Sequence, residues 1–289
     1  MIKEAAVKDA PVNHNGALPT RKVVHCVRQD GSAQSYFIYV PGSGGAEAPL
    51  FVVVHGISRN AQAQAQGFQE LCERYGVVMV VPVFGVESRD YQRLGRSGRG
   101  PRADAALDAV VEEVALRTGC KASSFHLFGI SGGAQFAHRY ALAHPHRVAG
   151  LVVVGSGWYT FPNPRARFPY GIRRSPELPG VRFDPEEFLR VPITVMVGEK
   201  DTNTEKVRNT PRVNRQQGKN RLERAQRWVE AMREAATSRG LEPLVKLEVI
   251  PDGQHDFTSL MAGGLGEKCF GHLFKGPIPS RLTKASRRG

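Results

Sequence analysis

Three side chains of the types used in nucleophilic catalysis follow one another in the order Ser131, Asp201 and His255. A serine hydroxyl attacks an acyl carbon efficiently when a base takes its proton, and histidine is the side chain that most often serves as that base. A carboxylate then fixes the histidine tautomer and stabilises the imidazolium. We therefore hypothesise a catalytic triad with Ser131 as nucleophile, His255 as base and Asp201 as the orienting acid.

Ser131 lies in the stretch FGISGGAQF, which contains the pattern G-x-S-x-G. The pattern is weak evidence alone, but an apolar run at 125–130 precedes the serine and a helical pattern at 133–144 follows it. A tight strand-to-helix turn projects the serine Oγ, and glycines on both sides allow the two backbones to approach. The sequence thus predicts a nucleophile elbow, with the backbone N–H of Gly132 facing a developing oxyanion.

The loop after the apolar run 49–55 is expected to supply the second oxyanion donor. It reads HGISRN, so the backbone N–H of Ile57, or alternatively that of Ser58, could face the site together with Gly132. We interpret His55 in this loop as a structural hydrogen-bonding residue and not as a base.

The acid and the base each follow a predicted strand. Asp201 comes three residues after the strand 192–198, and His255 follows the strand 244–250. Ligand sites of open α/β sheets gather at the carboxyl ends of the strands, which favours both residues. Glu199 is the nearest alternative to Asp201.

Alternating elements would have to position these residues. The predicted strands are 21–27, 34–40, 49–55, 77–82, 125–130, 149–155, 192–198 and 244–250, and the predicted helices are 61–76, 102–119, 133–144 and 220–239. The turn QDGSA predicts an antiparallel hairpin of the first two strands. The alternation that follows predicts an α/β fold, a mostly parallel sheet with helices on both faces. We expect one domain over 1–289, with 157–190 as an irregular lid insertion.

The chain has a high net positive charge of +13, because its basic residues outnumber its acidic ones. A basic surface attracts polyanions non-specifically, but no zinc finger, RNA-recognition signature or basic–aromatic pattern accompanies it. We therefore expect no specific nucleic-acid binding and a flexible basic tail at 276–289. An anionic substrate or partner is the sharper hypothesis. Possible substrate contacts are Ser58, Trp158, Tyr159, Arg208, Arg212 and Arg215.

The spacing of the cysteines and the hydropathy of the sequence argue against a zinc protein and against a membrane-spanning protein. The four cysteines are widely spaced and form no C-x-x-C pair, which favours free buried thiols and argues against structural zinc. No apolar run is long enough to span a membrane, and the first residues lack the apolar core of a signal peptide. We expect a cytoplasmic location, no membrane binding and no metal or organic cofactor.

Three blocks, VVVHGISRNA, FGISGGAQFAHRYA and GQHDF, resemble the α/β-hydrolase superfamily, in particular its poly(3-hydroxybutyrate) depolymerase and feruloyl-esterase-like branch. The resemblance covers residues 35–260 and implies an α/β-hydrolase fold and cleavage of carboxylic esters through an acyl-enzyme. The loop 86–100 has no tryptophan-rich polymer-contact stretch, so a small-molecule or oligomeric ester is the expected substrate. A thioesterase, a serine peptidase, a non-catalytic ligand-binding protein of this fold and a polyanion-binding protein are the alternatives. The sequence gives no indication of oligomeric state.

Overall fold

An eight-stranded sheet with helices on both faces forms the centre of the protein. The structure is a computed structural model, and it describes residues 18–274 except 29, 31, 86–89, 96–101, 177 and 206. The strands are β1 (Val23–Val27), β2 (Ser35–Tyr39), β3 (Pro49–Val54), β4 (Val78–Val83), β5 (Lys121–Ile130), β6 (Val148–Val154), β7 (Ile193–Gly198) and β8 (Val245–Ile250). The helices are α1 (Ala61–Tyr75), α2 (Ala103–Thr118), α3 (Gly132–Ala143), α4 (Pro185–Leu189), α5 (Pro211–Gln217), α6 (Arg221–Thr237), α7 (Phe257–Ala262) and α8 (Leu265–Leu273).

The strand order is β1-β2-β4-β3-β5-β6-β7-β8. β1 and β2 form an antiparallel hairpin and β2 pairs antiparallel with β4. All remaining pairs are parallel. The α/β fold, the mostly parallel sheet and the N-terminal hairpin are thus confirmed. Because parallel neighbours run in one direction, the carboxyl ends of β3, β5, β6, β7 and β8 share one edge of the sheet.

The sheet separates two apolar layers, which explains the valine-rich runs of its central strands. Alternate residues of β3 enter opposite layers: Val52 packs in the layer of α3 and α6, whereas Phe51 packs in the layer of α1 and α8. Trp228 of α6 and Phe270 of α8 are both fully buried in these layers. A strand buried on both faces positions its final residue rigidly, and the candidate site lies at those ends.

Several short elements lie outside the predicted strands and helices. They include a 3-10 helix at Tyr91–Arg93, α4 and α5. Helix α5 has recognisable start signals, since Pro211 is its first residue and the Thr210 side chain accepts a hydrogen bond from Val213 N at 3.3 Å. Seven residues are too few to show a helical period, so the pattern along the chain did not reveal it.

The segment 157–190 contains α4 and otherwise irregular chain. Its buried side chains Phe168, Leu178 and Phe188 pack in the same apolar layer as Trp228, whose indole Nε1 donates to Thr160 O at 2.8 Å. The segment is therefore anchored on α6. The predicted tail 276–289 lies outside the described residues.

The four cysteines are buried and free in the structure, as predicted. Within the described ranges, no helix combines the length and apolar character that a membrane crossing requires.

Candidate active site

The candidate triad lies at the carboxyl edge of the sheet, on three different strand ends. Ser131 directly follows β5, Asp201 follows β7 and His255 follows β8. Parallel pairing brings these ends to one place although the residues are far apart in the chain. The order and direction of the strands therefore bring the three candidate residues together.

Ser131 occupies the sharp turn between β5 and α3 with φ 55° and ψ −112°, a left-handed conformation that is rare for residues other than glycine. A Cβ on Gly129 would overlap the backbone of Gly133, and a Cβ on Gly133 would overlap the carbonyl of Val54. Both glycines of the G-x-S-x-G pattern are therefore required by close backbone packing. Ser131 makes no side-chain cap of α3, which leaves its Oγ for other partners.

A continuous hydrogen-bonded chain joins the three side chains. His255 Nε2 lies 2.9 Å from Ser131 Oγ, and His255 Nδ1 lies 2.8 Å from Asp201 Oδ2. The Asp201 side chain is 2% exposed, whereas that of His255 is 25% exposed and open to a substrate. In this arrangement the carboxylate accepts from Nδ1–H, so Nε2 is the nitrogen that can take a proton from Oγ. Glu199, the alternative acid, accepts instead from Asp252 N at 3.1 Å.

Arg221 and Gly155 adjoin the hydrogen-bonded triad, although the sequence did not indicate either residue. Arg221, at the start of α6, donates from Nη1 to Asp201 Oδ1 at 3.0 Å, and both side chains are at most 5% exposed. Gly155, after β6, has φ +52°, and a Cβ there would lie 3.0 Å from His255 Nδ1. Arg221 lies within a basic stretch that is typical of solvated surface, and Gly155 is one of 31 glycines, so no local signal distinguished either.

Two backbone N–H groups adjoin Ser131. A Cβ on Gly132 would lie 2.9 Å from Ile57 Cγ2, and Ile57 lines the same pocket as Ser131. Among the described residues, neither Ile57 N–H nor Gly132 N–H has a backbone acceptor outside the helices and strands. Gly56 lets the β3 loop approach, because a Cβ there would lie 3.3 Å from Ser131 Cβ. The N–H groups of Ile57 and Gly132 are therefore the candidate donors of an oxyanion hole.

His55 is a structural residue, as interpreted from the sequence. It is fully buried, its Nδ1 donates to Gly56 O at 2.8 Å, and its Nε2 accepts from Phe84 N at 3.0 Å. Burial lowers the pKa of His55 to about 4, so the ring is neutral at pH 7. The two hydrogen bonds of His55 stabilise the loop that contains Ile57.

A cavity of about 240 Å³ opens at Ser131. We call it the Ser131 pocket; it is lined by Ile57, Asp90, Gln92, Arg93, Ser131, Gln135, Gly157, Trp158, Val207, Arg208 and Arg221. Of the substrate contacts predicted from the sequence, Trp158 and Arg208 line it. The Tyr91–Arg93 helix contributes Gln92 and Arg93, which the sequence did not indicate because three residues show no helical period.

The other predicted contacts lie elsewhere. Arg212 and Arg215 line a separate cavity of about 610 Å³ beside Tyr170, because α5 begins at Pro211 and carries them to that side. Tyr159 is fully buried and stacks on Trp228, and Ser58 is exposed outside the residues that line the Ser131 pocket.

The fold and the site define a class: the chain has the α/β-hydrolase fold. It is similar to a poly(3-hydroxybutyrate) depolymerase from Bordetella parapertussis, with 27% identity, a TM-score of 0.71 and coverage of 88% of this chain and 90% of that one. It is also similar to poly(aspartic acid) hydrolase-1 from Sphingomonas sp. KT-1, with 22% identity, a TM-score of 0.73 and coverage of 86% and 98%.

An S-formylglutathione hydrolase from Agrobacterium tumefaciens shares the fold at 15% identity, with a TM-score of 0.60 and coverage of 91% of this chain and 100% of that one. No protein-family model matches the sequence, and no curated protein matches it. Of the three solved structures, the depolymerase at 27% identity supports a hydrolase activity for the chain.

Proposed function

We propose that the protein is a serine hydrolase that cleaves carboxylic esters through an acyl-enzyme. The observation that carries the proposal is the hydrogen-bonded chain from Ser131 Oγ through His255 to Asp201, with links of 2.9 and 2.8 Å. A hydroxyl, an imidazole and a carboxylate at these distances form a nucleophile, a base and an orienting acid.

The proposed reaction has two halves. Ser131 Oγ attacks the ester carbonyl carbon while His255 Nε2 takes the hydroxyl proton, and the backbone N–H groups of Ile57 and Gly132 hold the oxyanion. The bond to the alcohol oxygen then breaks as His255 returns the proton to it. Water attacks the acyl-enzyme, again giving its proton to His255, and Ser131 leaves with that proton as the acid is released. Asp201 keeps Nδ1–H oriented throughout.

The volume of the Ser131 pocket and the structures with a similar fold favour an ester substrate of limited size. About 240 Å³ lies below the roughly 300–1,000 Å³ typical of drug-sized ligand sites, so a short acyl group or one unit of an oligomer would fit. The depolymerase and hydrolase neighbours are compatible with either kind of substrate.

A fluorophosphonate probe and a p-nitrophenyl butyrate assay test the proposal. We expect the wild type to be labelled and active, and Ser131→Ala to lose the label and roughly 10⁴- to 10⁶-fold of kcat. Ser123→Ala is the matched control, because Ser123 lies exposed at the opposite end of the same strand. It should retain both signals.

Labelling, turnover of other acyl substrates and nucleic-acid binding together separate the alternatives. Absence of labelling in a folded wild type would favour a non-catalytic ligand-binding protein of this fold. Faster turnover of acyl thioesters or peptide amides than of esters would reassign the substrate class while retaining the role of Ser131. A steeply salt-dependent affinity for DNA or RNA would support the polyanion-binding alternative.

A further inference from the structure

Three arginines surround one tryptophan on the wall of the Ser131 pocket. The guanidinium carbons of Arg93, Arg139 and Arg208 lie 5.7, 4.5 and 5.0 Å from the centroid of the Trp158 ring. We call these three residues the arginine cluster. Trp158 itself is 4% exposed, so the cluster places several positive charges around a largely buried aromatic surface.

The innermost member, Arg139, is fully buried. Its Nε donates to Thr160 Oγ1 at 3.0 Å and its Nη1 to Gln92 O at 2.5 Å, and both acceptors are neutral. Its Nη2 has no hydrogen-bond partner among the described residues. Burial, and then the neighbouring Arg93 and Arg208, lower the pKa of Arg139 well below its usual value. Its charged form is therefore destabilised, and an anion nearby would relieve that cost.

The outermost member, Arg208, is exposed at the pocket. Its Nη2 donates to Tyr170 Oη at 3.4 Å, and within the described part of the chain no carboxylate forms an ion pair with it. The half-buried Arg93 also lines the pocket. Both guanidiniums thus reach the space that Ser131 also borders.

Arg208 is the exposed guanidinium of the cluster for which the described residues provide no carboxylate in an ion pair. Arg221, which also lines the pocket, is already paired with Asp201, whose other oxygen binds His255. Asp90 is the single further carboxylate among the described lining residues. Within the described part of the pocket, the Arg208 guanidinium is therefore available to an anion beside the proposed nucleophile.

A second buried arginine anchors the backbone at Arg208. Arg224 is fully buried and donates to Gly157 O and, at 3.0 Å, to Arg208 O. It therefore links the backbone next to Trp158 to the backbone of Arg208. A backbone fixed before ligand binding loses less entropy when the ligand arrives.

From this arrangement we propose that the pocket binds ester substrates that carry a carboxylate a few bonds from the scissile carbonyl, with Arg93 and Arg208 as the residues that recognise it against Trp158. This inference rests on the proposed esterase function and names the substrate class of the same site. Arginine suits the role because its planar donors match both oxygens of a carboxylate.

Two pairs of esters test the proposal, each differing only in an isopropyl group in place of the carboxylate. Monomethyl succinate and methyl 4-methylpentanoate place the group on the acyl side. The butyrate ester of glycolate and isobutyl butyrate place it on the alcohol side. We expect the wild type to have the higher kcat/KM for the anionic member of at least one pair.

The arginine variants should abolish that preference selectively. In Arg93→Gln and Arg208→Gln we expect the ratio of kcat/KM for the anionic ester to that for its neutral partner to fall by about 10-fold or more. Arg208→Lys, which keeps the charge, should retain part of the preference. Arg239→Gln is the matched control, because it removes the same charge from an exposed position near the end of α6.

The outcomes separate this inference from the proposed function. Ser131-dependent cleavage with equal kcat/KM for both members of both pairs would overturn the inference and leave the esterase intact. Loss of neutral-ester cleavage in an arginine variant would also count against a recognition role. If no ester is cleaved, equilibrium titration with succinate decides: binding that Arg93→Gln and Arg208→Gln weaken supports the carboxylate site, and equal or absent binding refutes it.

Discussion

Arg221 Nη1 and Asp201 Oδ1 form a buried ion pair at 3.0 Å directly behind the candidate base. The arginine belongs to α6 and the aspartate to the loop after β7, so the pair connects a helix on one face of the sheet to the edge where the candidate site lies. Asp201 thereby has one oxygen on Arg221 and one on His255. This double restraint fixes the plane of the carboxylate.

Arg221→Met should impair catalysis through that restraint. We expect kcat to fall by about 10- to 100-fold with little change in KM, because a misplaced carboxylate misorients the base. Arg221→Lys should recover part of the activity. A purely structural role would lower the free energy of unfolding and leave the kcat of the folded enzyme unchanged.

Gly133→Ala should disrupt the elbow. The added Cβ would overlap the Val54 carbonyl, so we expect a loss of unfolding free energy at or above the roughly 1–3 kcal/mol of overpacked sites, together with loss of fluorophosphonate labelling. Gly271→Ala in α8 is the control, because nothing lies within 4 Å of its Cβ position. It should be neutral or stabilising by about 0.5–1 kcal/mol in urea unfolding.

Acid should destabilise the protein in part through His55. Its folded pKa of about 4 is below the ordinary histidine value of 6.5, so between these pH values the unfolded chain binds the proton more strongly. Stability attributable to His55 is therefore complete above about pH 6.5 and is lost as the pH falls towards 4, by up to about 3 kcal/mol.

Urea unfolding between pH 7 and 4.5 measures this loss. His55→Asn, which cannot titrate, should be less stable at pH 7 but should show a shallower decline with acidification. Identical slopes for the variant and the wild type would contradict the assignment to His55, because other buried histidines would then account for the whole effect.

Gln217→Ala should loosen the wall of the pocket. The fully buried amide donates to Tyr159 O at 2.9 Å and accepts from Tyr159 N at 2.8 Å, next to Trp158. Its loss leaves two buried backbone groups unpaired, at a cost of about 1–3 kcal/mol each at most. We expect a lower midpoint of unfolding and a rise in KM larger than the fall in kcat. Gln226→Ala, exposed on α6, should change neither.

Local patterns predicted much of the fold and the positions of the candidate triad. Strand ends in a parallel sheet converge, so Ser131, Asp201 and His255 could be placed together from strand order alone. Arg221 could not, because its contact with Asp201 depends on how α6 packs, and no period along the chain encodes that. The same limit applies to Arg208 and Arg212, which are four residues apart yet line different cavities.

The chain contains two tryptophans, and the structure gives them different surroundings. Trp228 is sealed in the core against Tyr159, whereas Trp158 borders the pocket among the guanidiniums. We therefore expect the emission of Trp158 to respond to pocket occupancy and that of Trp228 to serve as an internal reference. Comparison with Trp158→Phe would assign the signal, so that ligands can be screened by emission without turnover or a label.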